Sequence, residues 1–280
     1  MKKLIGIFLL AVLIFTGCGS TDTSTITVVS REDGSGTRGA FVELLGILEK
    51  DDQGNKVDRT TEEAIIVNKT DVMLANIAND PNAIGYVSLG SLNSNVKAVT
   101  IDGVEATAEN IKNQTYQVSR PFNIVYKDTI SEVAQDFIKF ILSSDGQEVI
   151  ASGYIAVNEE AEAYLTSSMS GKIVIAGSSS VSPIMEKLAE AYQILNPNVT
   201  IEIQTNDSTS GVTYTIDGIC DIGMVSRDLK DTEASQLTGV EIALDGIAII
   251  VNKENPVSNL TQEQVKEIFT GVITSWSDFE

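Results

Sequence analysis

Four times in this 280-residue chain, a short apolar run leads directly into a turn rich in glycine, serine or threonine. We call these turns the four polar turns; they cover residues 31–37, 177–183, 206–212 and 225–228. Apolar residues at helical spacing follow the first two turns, so the chain alternates strand, turn and helix. This alternation predicts an α/β fold, in which such turns lie at the carboxyl ends of the strands.

The composition of the polar turns suits a small oxyanion. Glycine lets backbone N–H groups converge, hydroxyl groups add donors, and a following helix N-terminus adds partial positive charge. Arg31 and Arg227 place a guanidinium in two of the turns. In the second turn we expect Ser182 to cap a helix that starts at Pro183, where a missing N–H costs no hydrogen bond. One such turn is ordinary loop chemistry, but four in one chain favour a shared anion site.

The predicted elements are those of an α/β protein with largely parallel sheets. Strands are predicted at residues 26–30, 83–87, 122–126, 172–176, 199–204 and 247–251. Helices are predicted at residues 39–48, 72–79, 131–143, 183–195 and 262–269, the last with a capping box from Thr261 to Gln264. The clearest internal linker, which we expect to be an exposed connection, covers residues 165–171.

Composition excludes several classes of function. A formal net charge of -20 argues against nucleic-acid binding, which would need a basic stripe. It contains no histidine, which removes Ser-His-Asp and Cys-His catalysis, and its two cysteines cannot form a usual zinc site. We therefore expect no catalytic residue, no metal and no cofactor. The net charge does not oppose an anion site, because surface carboxylates are screened beyond roughly 8–10 Å.

The N-terminus has the pattern of a secreted lipoprotein. A basic start precedes an apolar core at residues 4–15, which is too short to span a bilayer. Residues 15–18 resemble a bacterial lipobox, which predicts lipidation of Cys18. The signal segment is then residues 1–18, and residues 19–25 form a flexible tether. A plain secretory signal or a membrane anchor is the alternative.

Residues 26–280 resemble the phosphate-binding protein of the bacterial ABC phosphate importer (the PstS type), but with the segments in a different order. Family members begin with a segment like residues 172–183 and pass through stretches like 245–251 and 268–276. Only then do they reach the Arg-x-x-Gly-Ser-Gly-Thr motif. Here that motif comes first, at residues 31–37, so the sequence resembles a circular permutant.

The resemblance implies a type II periplasmic-binding-protein fold, in which two α/β lobes enclose a ligand cleft and two hinge crossings join them. One lobe is expected to combine residues 26–119 with 247–280, and the other to run from 120 to 246. The hinge crossings are expected near residues 119–121 and 245–246.

The resemblance also implies which residues bind phosphate. Arg31 would pair with the ligand, and Asp33 would orient its guanidinium. Val181 and Ser182 would offer backbone amides at a helix start. The full set of residues expected to donate hydroxyl or backbone N–H hydrogen bonds to the ligand is Ser35, Gly36, Thr37, Ser180, Val181, Ser182, Ser208 and Ser226.

Two neighbouring positions leave alternatives open. Ser226 falls where some family members carry an aspartate that accepts the phosphate proton. A serine can donate as well as accept, so rejection of sulfate is in doubt unless Asp207 or Asp33 supplies a carboxylate. Arg227 is either a second cation for the ligand or the partner of a nearby carboxylate, Asp228 or Asp231.

We expect a monomeric, lipid-anchored, extracytoplasmic solute-binding protein that captures inorganic phosphate and delivers it to a membrane-embedded ABC permease. One alternative is a binding protein for another tetrahedral oxyanion, such as sulfate or molybdate. A second is a sensor or adhesin that reuses the fold. A third is a phosphatase-like hydrolase with a nucleophile among residues 178–180, against which the absence of histidine argues.

Overall fold

The computed structural model describes residues 24–166 and 168–279. The predicted signal segment and Cys18 lie outside the described residues. Among the described residues, no helix is long and apolar enough to cross a membrane.

The strands are β1 (Thr27–Arg31), β2 (Leu48–Lys50), β3 (Lys56–Asp58), β4 (Ile65–Val67), β5 (Ala83–Ser88), β6 (Val96–Ala98), β7 (Thr100–Ile101), β8 (Ser119–Tyr126), β9 (Ile155–Ala156), β10 (Ser170–Ser178), β11 (Asn198–Asn206), β12 (Ile222–Val225), β13 (Thr238–Asn252) and β14 (Asn259–Leu260).

Most of the helices begin at a side-chain cap, where an oxygen accepts a hydrogen bond from a backbone N–H of the first turn. The capping residues are Ser35, Thr107, Ser131, Ser143, Asp207 and Thr261, the last within the expected capping box. The helices are α1 (Gly36–Leu44), α2 (Thr70–Asn79), α3 (Ala108–Lys112), α4 (Glu132–Leu142), α5 (Ser144–Ala151), α6 (Ser182–Leu195), α7 (Ser208–Asp217), α8 (Asp231–Ala234) and α9 (Gln262–Phe269).

One continuous sheet runs through the molecule in the order β11-β10-β12-β8-β13-β5-β1-β4. At one end β11, β10 and β12 pair in parallel, and at the other end β5, β1 and β4 do the same. In the middle, β12 with β8, β8 with β13, and β13 with β5 pair antiparallel. The expectation of largely parallel sheets is therefore wrong for the middle of the sheet.

The two long strands β8 and β13 connect the halves of this sheet. They pair antiparallel, with Arg120 opposite Asp245. The sequence predicts only their most apolar stretches, residues 122–126 and 247–251. Polar residues and glycine interrupt the apolar pattern elsewhere in both strands, so periodicity alone underestimates their length.

The apolar side chains form two main cores, one toward each end of the β8–β13 pair. The first core draws on both ends of the described chain, with Phe41 and Phe269 among its members. The second core lies within residues 122–243. Ile155 is an exception, because it packs into the first core although its sequence neighbours belong to the second. The division of the chain into two lobes stays a prediction.

The helices that follow the first three polar turns begin inside those turns. α1 begins at Gly36 and α7 at Ser208, in segments where the sequence indicates turns. α6 begins at Ser182, with Val181 as its N-cap residue, so the expectation that Ser182 caps this helix is wrong. Short hydroxyl residues favour caps and turns over helix interiors, which is why the pattern hides these first helical turns.

Two expected connections are shorter than predicted. Ser170 and Gly171 pair with β11, so the expected linker at residues 165–171 ends before Ser170. Thr25, at the end of the expected tether, forms a β-bridge with Ser275. In both places backbone pairing orders residues that the composition assigns to flexible segments.

Candidate functional site

The four polar turns meet between the two cores. Thr37 Oγ1 of the first turn lies 2.8 Å from Ser180 Oγ of the second. Ser178 Oγ, also in the second, donates to Ser226 Oγ of the fourth over 2.9 Å. Ser208 Oγ of the third turn lies 3.3 Å from Ser226 Oγ. Each turn follows a strand of the same sheet, so the strand ends carry their hydroxyls to one place.

The first polar turn forms the N-terminus of α1. Ser35 Oγ accepts from the Arg38 N–H over 3.3 Å, and Gly36 and Thr37 are the first helical residues. Gly36 faces the opposite turns so closely that a Cβ atom there would overlap Ser208 Oγ. Only glycine allows the first turn to approach the third this closely.

Arg31 is the buried cation of the site, with 3% of its surface exposed. Its Nε and Nη2 donate to the two carboxylate oxygens of Glu32 over 2.9 and 2.8 Å. Nη2 also donates to Ser179 Oγ over 3.2 Å, and Nη1 donates to Thr70 Oγ1 over 3.4 Å. The guanidinium therefore joins the end of β1 to the second polar turn.

The carboxylate that orients Arg31 is Glu32, so the expectation that Asp33 has this role is wrong. The Ser35 N–H donates to Glu32 O over 3.0 Å, which closes a tight turn. Asp33 lies on the outside of that turn, where its side chain is 95% exposed and pairs with Arg38 at 2.8 Å. The direction of the turn decides which of the two adjacent carboxylates reaches Arg31.

The second polar turn is held largely by its own hydrogen bonds. The Val181 N–H donates to Ser178 O over 3.0 Å, and the Ser180 N–H donates to Ser178 Oγ over 3.2 Å. Ser182 Oγ donates to Ser178 O over 3.2 Å. The Val181 amide is thus engaged within the turn, which differs from its expected role as a ligand donor. Ser180 Oγ instead points across to the first turn.

Asp207 is engaged by its own helix, and its expected role as the carboxylate that Ser226 lacks stays untested. It caps α7, where its Oδ1 accepts from the Ser210 N–H over 2.8 Å and its Oδ2 accepts from Ser210 Oγ over 2.6 Å. Ser208, the next residue, turns its Oγ to accept from the Ser226 N–H over 3.0 Å. The third and fourth turns therefore present hydroxyls to the site while the carboxylate stays with its own helix.

Arg227 belongs to an ion pair outside the hydroxyl cluster, by which we mean the converging side chains of Thr37, Ser178, Ser180, Ser208 and Ser226. Its Nη1 and Nη2 donate to the carboxylate oxygens of Glu233 over 2.7 and 2.9 Å. Neither expected carboxylate partner is correct, since Asp228 contributes only its backbone carbonyl. Burial alone would raise the pKa of Glu233, but hydrogen bonds from Arg227 and the Lys230 N–H outweigh it and lower that pKa. Arg227 is thus committed to Glu233, and the expectation of a second ligand cation stays untested.

Paired charges and neutral donors define what this site can do. Each arginine near the polar turns has a carboxylate partner among the described residues: Arg31 with Glu32, Arg38 with Asp33 and Asp58, Arg120 with Asp245, and Arg227 with Glu233. Within those residues no cluster of histidine, cysteine or acidic side chains could hold a metal ion. Convergent hydroxyls beside a buried guanidinium suit reversible binding of an oxyanion.

A cavity of about 740 Å³ adjoins the polar turns at Ser35. Its walls come from α1, from residues 119–121 of β8 and from residues 227–231 after β12. The cavity therefore lies where the first polar turn, the fourth and the connecting strand come together.

Two residues of this site, Glu32 and Thr70, carry no distinguishing signal in the sequence. Glu32 stands next to the motif residue Arg31, and only the turn geometry distinguishes it from Asp33. Thr70 begins α2 directly after β4, which repeats the strand–turn–helix pattern of the polar turns. Its turn, Asn68-Lys69, lacks glycine and serine and so gave no signal.

The sequence profile described as a PBP superfamily domain (PBP_like_2) matches residues 14–145 and 161–280. The chain is 53% identical over 277 residues to phosphate-binding protein PstS 2 of Streptococcus agalactiae, covering 96% of this chain and 94% of that protein. It also matches phosphate-binding protein PstS of Bacillus subtilis, at 30% identity over 112 residues, or 39% of this chain and 37% of that protein.

Among solved structures, the chain resembles the crystal structure of a phosphate-binding protein of a phosphate ABC transporter from Streptococcus pneumoniae TIGR4. The identity is 46%, the TM-score is 0.72, and the match covers 91% of this chain and 100% of that chain. The resemblance thus extends over both cores and the strands between them.

Proposed function

The chain belongs to the PstS family of phosphate-binding proteins, within the PBP superfamily, and we propose that it binds inorganic phosphate where the four polar turns meet. The family confirms the periplasmic-binding-protein fold expected from the sequence. Its members are components of transporters, which supports a binding role for this chain and not a catalytic one.

The observation that carries the proposal is the convergence of hydroxyls from four separate turns beside the buried Arg31. Micromolar affinity needs about 8 kcal/mol, and one hydrogen bond to a charged group contributes about 1.5–3 kcal/mol. No single donor is sufficient. A site that brings several donors together, with Gly36 where the turns approach most closely, can supply the free energy that micromolar binding needs.

Calorimetric titration of the purified chain with inorganic phosphate tests this proposal. We expect one phosphate per chain at micromolar affinity or tighter. A turnover assay with a generic phosphate ester accompanies it, and we expect no hydrolysis. Absence of phosphate binding in a folded protein, or hydrolysis of the ester, would contradict the proposal.

A second candidate ligand class is a fully ionised tetrahedral oxyanion such as sulfate or molybdate. It is favoured by one observation: the carboxylates of Asp207 and Asp33 are engaged by Ser210 and Arg38, not by the hydroxyl cluster. An ionised carboxylate facing the ligand would repel sulfate, which keeps no proton at neutral pH. The same titration with sulfate and molybdate separates a strict phosphate site from a general oxyanion site.

We further propose that the protein works as a monomer, is anchored by a lipid on Cys18 and delivers phosphate to a membrane ABC permease. Stable attachment needs two or more acyl chains, which a lipidated N-terminal cysteine supplies. Cys18→Ser should release the protein from membranes or leave an uncleaved precursor. Release of the wild type into the soluble fraction, or a mature protein that starts elsewhere than residue 18, contradicts the anchor.

The order of segments is a further proposal: relative to other PstS proteins, the chain is circularly permuted, with lobes formed by residues 26–119 plus 247–280 and by 120–246. The Streptococcus agalactiae relative aligns along almost the whole chain, whereas the Bacillus subtilis relative aligns over little more than a third. A permuted relative would align in one piece only up to the point where the order changes.

Restoring the other order tests the permutation. The described ends lie together, since the Trp276 N–H donates to Ser24 O over 2.8 Å. A variant that starts at Met169, joins residue 280 to Ser24 through a short glycine-serine linker and ends at Leu165 should fold and bind phosphate within about threefold of the natural order. A variant that cannot fold contradicts the proposed permutation.

A further inference from the structure

Three buried side chains form a closed triangle at the second polar turn. Thr70, the first residue of α2, has its Oγ1 3.2 Å from Ser179 Oγ. Arg31 donates to both oxygens, through Nη1 to Thr70 and through Nη2 to Ser179. The triangle joins β1 and α2, on one side of the site, to the turn that starts α6 on the other.

The hydrogens of this triangle do not all find acceptors. A guanidinium can only donate, so both hydroxyl oxygens accept from Arg31. Between the two hydroxyls, one donates to the other. Whichever donates, the hydrogen of the remaining hydroxyl has no acceptor in the triangle, and neither hydroxyl bonds elsewhere in the described part of the chain.

We propose that Thr70 is a positioning residue of the oxyanion site: with Arg31 it fixes Ser179, and the Thr70–Ser179 pair presents its remaining hydroxyl hydrogen to a bound oxyanion. The inference rests on the proposed function, because an oxygen of phosphate is the acceptor. Ser180, next to Ser179, already faces Thr37 of the first turn, so the free hydrogen lies among the other donors.

Substitutions at Thr70 separate hydrogen bonding from packing. Thr70→Val keeps the branched shape and removes the hydroxyl, whereas Thr70→Ser keeps the hydroxyl. In calorimetric titrations with inorganic phosphate, we expect Thr70→Val to weaken binding about 5- to 20-fold and Thr70→Ser to stay within about twofold of wild type. Thr215→Val is the matched control, since Thr215 is buried in α7 and its hydroxyl bonds to Gly211 O. It should leave phosphate affinity unchanged.

A double-mutant cycle tests the coupling inside the triangle. Ser179→Ala should weaken binding like Thr70→Val, and the double variant should be at most about twofold weaker than the weaker single variant, because either change breaks the hydrogen bond between the two hydroxyls that orients their free hydrogen. If Thr70→Val does not fold, Ser179→Ala and Thr70→Ser carry the test.

The outcomes distinguish this inference from the proposed function. A wild-type chain that does not bind phosphate overturns the proposed function. A wild-type chain that binds phosphate, with Thr70→Val equal to it or Thr70→Ser as weak as Thr70→Val, overturns only the positioning role. Additive losses in the cycle overturn the coupling between the two hydroxyls.

Discussion

Arg120 on β8 and Asp245 on β13 form an ion pair at the point where both strands pass from one core to the other. Nε and Nη2 of Arg120 donate to the same carboxylate oxygen over 3.3 and 3.1 Å. The second oxygen of Asp245 accepts from Ser88 Oγ over 2.7 Å. The side chains of Arg120 and Asp245 are 1% and 0% exposed, so both charges are shielded from solvent.

The first prediction concerns the stability of this pair. Asp245→Leu should lower the free energy of unfolding by about 3–5 kcal/mol, because it leaves a buried guanidinium without its counter-charge. The double variant Arg120→Met/Asp245→Leu should recover most of that loss, since an apolar pair of similar volume carries no desolvation cost. Urea unfolding measures both variants. A double variant as unstable as the single one would show that the pair holds the strands by more than charge.

The second prediction compares two glycines of α1. Gly36→Ala places a Cβ atom against Ser208 Oγ and 2.7 Å from Ser226 Oγ, so the turns cannot approach each other and phosphate binding should fall by at least about 100-fold. Gly39→Ala is the matched control, because its Cβ would lie 3.6 Å from Arg227 Cδ, an ordinary contact. Titration should show near-normal binding for Gly39→Ala. Equal affinities for the two variants would mean that the turns do not close on the ligand.

The third prediction concerns Arg31. Arg31→Ala should weaken phosphate binding by about 2–5 kcal/mol, because it removes the buried cation and leaves Glu32 without its partner. Asp33→Asn should change the affinity by less than twofold, since Asp33 lies outside the turn. Calorimetry on both variants decides the matter. An Arg31→Ala protein that remains folded and binds phosphate within threefold of wild type would falsify the site assignment.

The fourth prediction concerns selectivity. Asp207→Asn should leave the ratio of phosphate to sulfate affinity unchanged within about twofold, because both oxygens of Asp207 are engaged by Ser210. Asparagine is also a good N-cap, so the melting temperature should change little. Competition titrations with sulfate on both proteins provide the measurement. A marked gain in sulfate affinity in the variant would show that Asp207 does face the ligand.

The fifth prediction is a dependence of stability on pH. Bonds from Arg227 and the Lys230 N–H hold the pKa of Glu233 below its ordinary value of 4.5 in the folded state, despite burial. The unfolded chain therefore binds more protons in that range. The contribution of Glu233 is complete above pH 4.5 and is lost as the pH falls through the lowered pKa. Glu233→Gln should flatten this part of the stability curve, and unfolding at pH 3.5, 4.5 and 7 checks it.

The sequence predicted the meeting of the polar turns, because glycine and hydroxyl residues after short apolar runs report strand ends directly. It also predicted α9, whose capping box and apolar spacing agree with each other. The place of each turn at a strand end and the start of α9 depend on residues close together in sequence, so local patterns contain enough information to identify them.

The remaining features depend on contacts between distant residues. The length of β13 is set by its pairing with β8 and β5, while its own sequence contains Asp245 and Gly246 among apolar residues. The partner of Arg31 depends on how residues 32–35 turn, and the partner of Arg227 on where α8 places Glu233. Periodicity contains no information about any of these.

The bridge between Thr25 and Ser275 determines how the molecule would respond to mechanical force. Tension applied to the two ends of the described chain acts on the first core alone, because both ends are anchored there. The second core lies between these two anchored ends of the chain, within residues 122–243, and carries no load until the first core has been pulled apart. A stretched molecule should therefore extend in two steps of fixed order, with the second core unravelling last.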